Sequence, residues 1–184
     1  MRTSQSIISL KPQDIVILLK ILVLRDNDWT QASLAKSLKM PVGYLNQALK
    51  RISDCNLYDQ KRKLVYTEAL KSFLLHGIRF AFPVVRGSMA RGMPTGSAGP
   101  PLNKIMDTEA LKWPPVWPDI QGTEQGYAII PLHPEVPNIA REDEHLYELL
   151  ALVDALREGR PRERNLAARE LSKRIDAYLA HKAR

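Results

Sequence analysis

One short run carries the side chains best suited to chemistry in this chain: Gly43, Tyr44, Asn46, Gln47, Lys50 and Arg51, followed closely by the cationic triplet Lys61, Arg62 and Lys63. A carboxamide donates and accepts at once, which matches an adenine edge, while Lys and Arg reach guanine or phosphate oxygens. The set therefore points to recognition of double-stranded DNA. Nothing in it supports nucleophilic catalysis, and the chain is not expected to be an enzyme.

Side chains of this kind act only if helices hold them on one face. The run TQASLAKSLKMPVGYLNQALKRI, Thr30 to Ile52, reads as two short helices joined by a tight turn. Thr30 is a good N-cap for the first, which ends near Leu38 and turns Leu34, Ala35 and Leu38 to one side. Lys39 and Met40 carry the turn, and Pro41 stops the first helix and pre-sets the second. In the second helix, 42–53, Val42, Leu45, Leu49 and Ile52 recur at threes and fours and should point inward. That leaves the polar set outside.

The flanking segments complete a small domain. Pro12 to Leu24 is apolar almost all round, so a helix there belongs at the centre of a domain or against a second subunit, with Asp14 complementing its dipole. Arg25 to Trp29 is a turn cluster, Trp29 a lid on the core, and Met1 to Ser6 a frayed polar end. Leu57–Tyr58 and Leu64–Tyr66 are β-prone pieces around the polar loop 59–63, a hairpin over 57–66 with the three cations at its tip. Thr67 then caps a helix from Glu68 to His76, with Ala69, Leu70, Phe73 and Leu74 inward and Gly77 ending it.

Charge agrees with an anionic partner. The net charge is +7, and counts of Lys+Arg against Asp+Glu are 12 to 6 up to Gly77, 6 to 5 from Ile78 to Arg141, and 9 to 9 from Glu142 onward. Nearly all the excess lies with the helix pair and the hairpin, where attraction to phosphates needs it.

Residues Leu10 to Gly77 resemble the DNA-binding module of bacterial winged helix transcription regulators of the MarR-like kind, on the LAKSLKMPVGYLNQALKRI run and the hairpin after it. The resemblance covers somewhat over a third of the chain. It implies that Tyr44, Asn46, Gln47, Lys50 and Arg51 enter a major groove while Lys61, Arg62 and Lys63 approach the backbone or minor groove.

Beyond that module the composition shifts. The stretch 78–139 holds most of the chain's 13 prolines and nine glycines, yet Phe80, Phe82, Trp113, Trp117 and YAIIPL are more than a disordered linker carries. An irregular folded segment is expected, with Val116 and Trp117 pairing with Tyr127 to Ile130 as a hairpin. Glu142 to Glu158 and Arg162 to His181 read as two helices forming an antiparallel pair, whose apolar stripe must be covered by the first domain or by a twin in another copy. The charges of the last helix balance, which suggests a salt-bridged exposed face.

Other motifs read as bland. Arg79, Arg86 and Arg91 lie in a glycine-containing stretch whose spacing matches no phosphate-binding loop, so a surface loop is the simpler reading. His76, His133, His145 and His181 are scattered, and no metal is expected. Cys55, the single cysteine, suits a small buried apolar role. No segment is long and apolar enough to span a bilayer, no leader opens the chain, and the cytoplasm is the expected compartment.

The expectation is thus a mainly α protein with a small β-hairpin wing: a winged helix-turn-helix domain over 7–77, a Pro/Gly-rich irregular segment over 78–141, and a helical hairpin over 142–184 for dimerisation or partner contact. The expected DNA-binding set is Thr30, Gln31, Gly43, Tyr44, Asn46, Gln47, Lys50, Arg51, Lys61, Arg62 and Lys63. The expected function is that of a sequence-specific transcription regulator, a repressor binding double-stranded DNA as a homodimer, with no cofactor. The alternative is a protein-interaction module, antitoxin-like or an adaptor, in which DNA binding is secondary or absent.

Overall fold

The computed structural model describes residues 8–24, 29–106 and 112–180. It is mainly helical, with a small antiparallel two-stranded sheet and a separate cluster of three short strands. The expectations for Met1 to Ser6, for most of the Arg25 to Trp29 turn and for the helix end at His181 fall outside the described residues.

Helix α1 (Pro12–Leu24) is the centre of the core. Ile15 to Leu19 have no solvent exposure, because α3 (Val42–Asp54), α8 (Glu144–Glu158) and α9 (Pro161–Ala180) all pack on it. That surrounds the helix on all sides and accounts for its all-round apolar sequence. Helix α2 (Gln31–Ser37) opens on a capping box: the Thr30 hydroxyl accepts from Ser33 N–H at 3.0 Å, and Ser33 Oγ accepts from Thr30 N–H at 2.9 Å. Lys39 takes a left-handed φ of 51° in the turn, and Met40 is buried beneath it.

After α3, strands β1 (Tyr58–Asp59) and β2 (Leu64–Val65) pair antiparallel, with Tyr58 opposite Val65. Helix α4 (Thr67–His76) follows. Thr67 is its first residue rather than its cap, since its hydroxyl donates back to the Val65 carbonyl at 3.2 Å. Ala69 faces solvent, not the core. Gly77 keeps a right-handed backbone and leads straight into the short helix α5 (Ile78–Ala81), so no left-handed glycine stop occurs there.

The Pro/Gly-rich stretch is ordered around strands β3 (Met89–Pro94), β4 (Pro115–Pro118) and β5 (Glu124–Ala128), with α6 (Leu102–Ile105) between the first two. The expected hairpin of Val116 and Trp117 with Tyr127 to Ile130 does not form. Both β4 and β5 run antiparallel to β3, so they must be parallel to each other, and Pro115 pairs with Tyr127 and Val116 with Ala128. Only residues 119–123 separate β4 from β5, but the paired positions, Pro115 with Tyr127 and Val116 with Ala128, lie 12 apart in sequence, about the separation that a parallel pairing needs. Glycine permits the closure: a Cβ on Gly126 would collide with the Pro114 carbonyl, and one on Gly92 with the Trp117 carbonyl.

Helix α7 (Val136–Glu142) returns the chain to α8 and α9, which form the expected antiparallel pair. Their apolar stripe is covered by α1, α4 and α5 of the same chain, and one continuous buried cluster runs from Ile15 to Ile175. A buried carboxylate fastens the strand cluster to α8. Asp154 accepts from Thr95 Oγ1 at 2.9 Å, Trp117 Nε1 at 2.6 Å and Arg157 Nη1 at 2.5 Å. Burial pushes the Asp154 pKa up, against the pull of Arg157 and the two hydrogen bonds. Tyr147 adds a second tie, its hydroxyl donating to the Pro94 carbonyl at 2.6 Å. Among the described residues no helix is long and apolar enough to cross a membrane.

Candidate nucleic-acid interface

Helix α3 is strongly two-sided. Leu45, Ala48, Leu49 and Ile52 are buried, and their spacing turns Gly43, Asn46, Gln47 and Lys50 to solvent along a single stripe. Asn46, Gln47 and Lys50 have no intramolecular side-chain partner. Gly43 has open space around the position of a missing Cβ. Val42, expected inward, is 42% exposed because it opens the helix where the turn leaves the core.

Tyr44 and Arg51 stand apart from this stripe. Both were expected to face outward, yet each is turned onto the first turn of α1. The Tyr44 hydroxyl accepts from Gln13 Nε2 and the ring is half-buried. Arg51 donates Nε and Nη2 to the two oxygens of Asp14, at 2.7 and 2.5 Å. That two-pronged hydrogen bond raises the guanidinium pKa further. The reason is the seven-residue spacing, which is two helical turns and puts both side chains over Gln13 and Asp14. They fix how α3 lies on the core.

The hairpin tip divides in a similar way. Asp59 Oδ1 accepts from the backbone N–H groups of Lys61 and Arg62, both at 2.9 Å, which folds the tip into a turn. The Lys61 side chain is exposed and unpaired, and Arg62 is 78% exposed with its Nε at 3.9 Å from Asp59. Lys63 is committed elsewhere. Its ammonium lies 5.1 Å from the centre of the Trp29 ring and donates to the Trp29 carbonyl at 3.2 Å, so it staples the hairpin to the entry of α2.

Between the end of α3 and the hairpin lies a hollow of about 420 Å³, bordered by Ser53, Asn56, Tyr58, Asp59, Gln60, Lys61 and Tyr66. Thr30 and Gln31 are exposed at the start of α2. The residues left exposed are therefore Gln31, Gly43, Asn46, Gln47, Lys50 and Lys61, all unpaired, and Arg62, held only by its long contact with Asp59, a smaller group than the sequence indicated.

The sequence reading missed Lys36, an exposed cation on α2, and the two residues that seat α3, Gln13 and Asp14. Lys36 was legible from the helical period that buries Leu34 and Ala35. Asp14 was not: its partner is 37 positions away, and a first-turn acid already had a sufficient local explanation. Of the three arginines in the glycine-containing stretch, Arg86 pairs with Glu158 and lies over the Tyr127 ring, and Arg91 belongs to β3, with Nε donating to the Gly122 carbonyl at 2.6 Å. Cys55 is half-buried at the end of α3, and burial raises its thiol pKa. Among the described residues no group of acidic, His or Cys side chains is arranged to hold a metal.

Such a surface can pair with base edges through Asn46 and Gln47 while Lys50, Lys61 and Arg62 neutralise phosphates. Comparison of the chain with protein-family models, curated proteins and solved structures returns no match in any of the three.

Proposed function

We propose that the chain is a sequence-specific transcription regulator of the cytoplasm, a repressor, whose N-terminal part is a winged helix-turn-helix that reads double-stranded DNA. Helix α3 enters the major groove, and the β1–β2 hairpin is the wing that meets the backbone or minor groove. One observation carries the proposal: Asn46, Gln47 and Lys50 are exposed along one face of α3, unpaired, with α8 and α9 packed on α1 rather than over them. The cationic tip at Lys61 and Arg62 supports it. The proposed homodimer needs a contact other than the α8–α9 stripe, which its own chain covers.

Selection of bound duplexes from a random-sequence pool tests the reading. A recurring sequence is expected, with a palindrome if two copies bind. Asn46→Ala and Gln47→Ala should relax preference at particular base positions, each by about 1–3 kcal/mol. No enrichment, or enrichment indifferent to both substitutions, removes the proposal.

A second reading has its own support. Phe80, Val85, Trp113, Ile120 and Ile130 are between 49% and 95% exposed, and all belong to the stretch around the strand cluster. Exposed large apolar side chains concentrated in one segment fit a protein-binding surface. Stoichiometric co-purification of a partner, lost on replacing Phe80 and Ile130 by Ser, is the result that favours an adaptor or antitoxin-like role.

A further inference from the structure

The C-terminal part is neutral by count and unbalanced in space. From Glu142 onward there are 9 acidic and 9 basic residues. Most of the acids are engaged inside the molecule, several by cations from other parts of the chain. Lys39 takes Glu142, Lys20 takes Asp143, Lys71 takes Asp176, and Arg86 takes Glu158. Arg174 holds Glu148 and Glu170 together, and Glu163 accepts from the Arg160 N–H. Every such pair removes an acid that the sequence count set against a cation of α9.

Among the described residues, three of the cations left over fall on one line of α9, while Arg160, exposed and without a side-chain partner, precedes the helix. Arg162, Arg169 and Lys173 are exposed and have no intramolecular partner. At 100° per residue their positions 7 and 11 places apart fall within about 40° of one another, along about 16 Å of helix. Asn165 borders the line as an exposed hydrogen-bonding amide. The acid nearest the line, Asp176, is paired to Lys71 at 2.8 Å.

We infer that the outer face of α9, through Arg162, Arg169 and Lys173, is a second nucleic-acid contact, one that binds the phosphate backbone of a duplex. Charge complementarity chooses the partner. Three unpaired cations in a row, with a polar amide beside them, suit a linear array of phosphates. Among the described residues of α9 no exposed aromatic ring accompanies them, so stacking on unpaired bases is not the mode of binding. The contact carries no base information, because Arg and Lys on phosphate hold a duplex without reading it. It does not depend on α3, which packs on other elements of the fold.

The test compares two variants of the full chain by fluorescence anisotropy on a random-sequence duplex across a salt series: Arg162→Gln/Arg169→Gln/Lys173→Gln, and Lys50→Gln/Lys61→Gln/Arg62→Gln. The α9 variant should weaken binding about tenfold and lower the slope of log affinity against log salt by about 2 to 3 units, since each lost phosphate contact removes about 0.9. Arg162→Lys/Arg169→Lys keeps the charge and should bind as the parent does, which separates loss of contact from loss of folding. An α9 variant with parental affinity and slope overturns the inference, whatever the other variant does. If instead only the α3 and hairpin variant is silent, the proposed regulator surface fails and the α9 contact stands. Polyglutamate is the control for an acidic protein: binding that depends equally on the same three residues overturns the assignment to phosphate.

Discussion

The Asp14 carboxylate and the Arg51 guanidinium meet across the boundary between α1 and α3 in a two-pronged ion pair of 2.7 and 2.5 Å. Asp14 has no solvent exposure, and its Oδ2 also accepts from the Lys11 N–H at 2.8 Å, so the pair joins the start of α1 to the late part of α3. Together with Gln13 and Tyr44 it sets the roll of α3, and with it the direction in which Asn46, Gln47 and Lys50 point.

Arg51→Met removes one partner and leaves a buried carboxylate unpaired, which should cost about 3–5 kcal/mol in urea unfolding. Replacing both partners, Asp14→Leu with Arg51→Met, should recover most of that loss, because the desolvation of two charges disappears with them. A single substitution costing under about 1 kcal/mol would show that the pair does not hold α3.

Between α8 and the strand cluster Asp154 is the corresponding tie. Thr95→Val removes only a hydroxyl donor at nearly constant volume and should cost about 1–2 kcal/mol. Asp154→Ala should cost more, since it leaves Thr95, Trp117 and the nearly buried Arg157 without their acceptor. Thermal unfolding of the two variants orders them directly, and equal losses contradict the network.

Two glycines should respond in opposite directions. Gly43→Ala places a methyl in open space within a helix and should raise stability by about 0.5–1 kcal/mol. It should also weaken DNA binding, because the proposed interface brings the α3 backbone there against the duplex. Gly126→Ala drives a Cβ into the Pro114 carbonyl and should lower stability by about 1–3 kcal/mol, measured by urea unfolding.

Alkaline pH should destabilise the fold through its phenols. Burial pushes Tyr58 and Tyr147 up to about 12, and Tyr127, beside Glu158, higher still. A phenol raised in the fold contributes stability that is intact below its unfolded value of about 10 and is lost as pH climbs through the folded value. Ultraviolet titration should show a late tyrosinate step near pH 12, and stability should begin to fall from about pH 10. Ionisation of all six tyrosines in a single step near pH 10 would contradict the burial of these three rings.

The helices with strong local signals were legible in the sequence. The N-cap at Thr30, the three-and-four spacing from Leu45 to Ile52 and the leucine pattern of α8 each state their element, because helical order is fixed by residues a few places apart. The strand cluster was not. Its pairing is decided by β3, more than twenty residues from β4, and nothing local distinguishes a parallel partner from a hairpin. At the proposed interface, spacing correctly separated buried from exposed positions at Asn46, Gln47 and Lys50, but it could not foresee that Arg51 has Asp14 and Lys63 has Trp29 as partners. Charge counting shows the salt bridge of Arg174 with Glu170 but not which cations of α9 stay unpaired, since other acids of the segment pair across the fold, Asp176 with Lys71 and Glu158 with Arg86.

The account rests on α3 and the hairpin tip meeting DNA, and amide chemical shifts of the isotope-labelled chain during titration with its selected duplex test that most directly. The expected result is saturable shifts at Gly43, Asn46, Gln47, Lys50, Lys61 and Arg62, with the amides of buried Leu146, Leu149 and Leu150 unmoved. A saturating duplex that leaves the α3 and hairpin amides in place would contradict it.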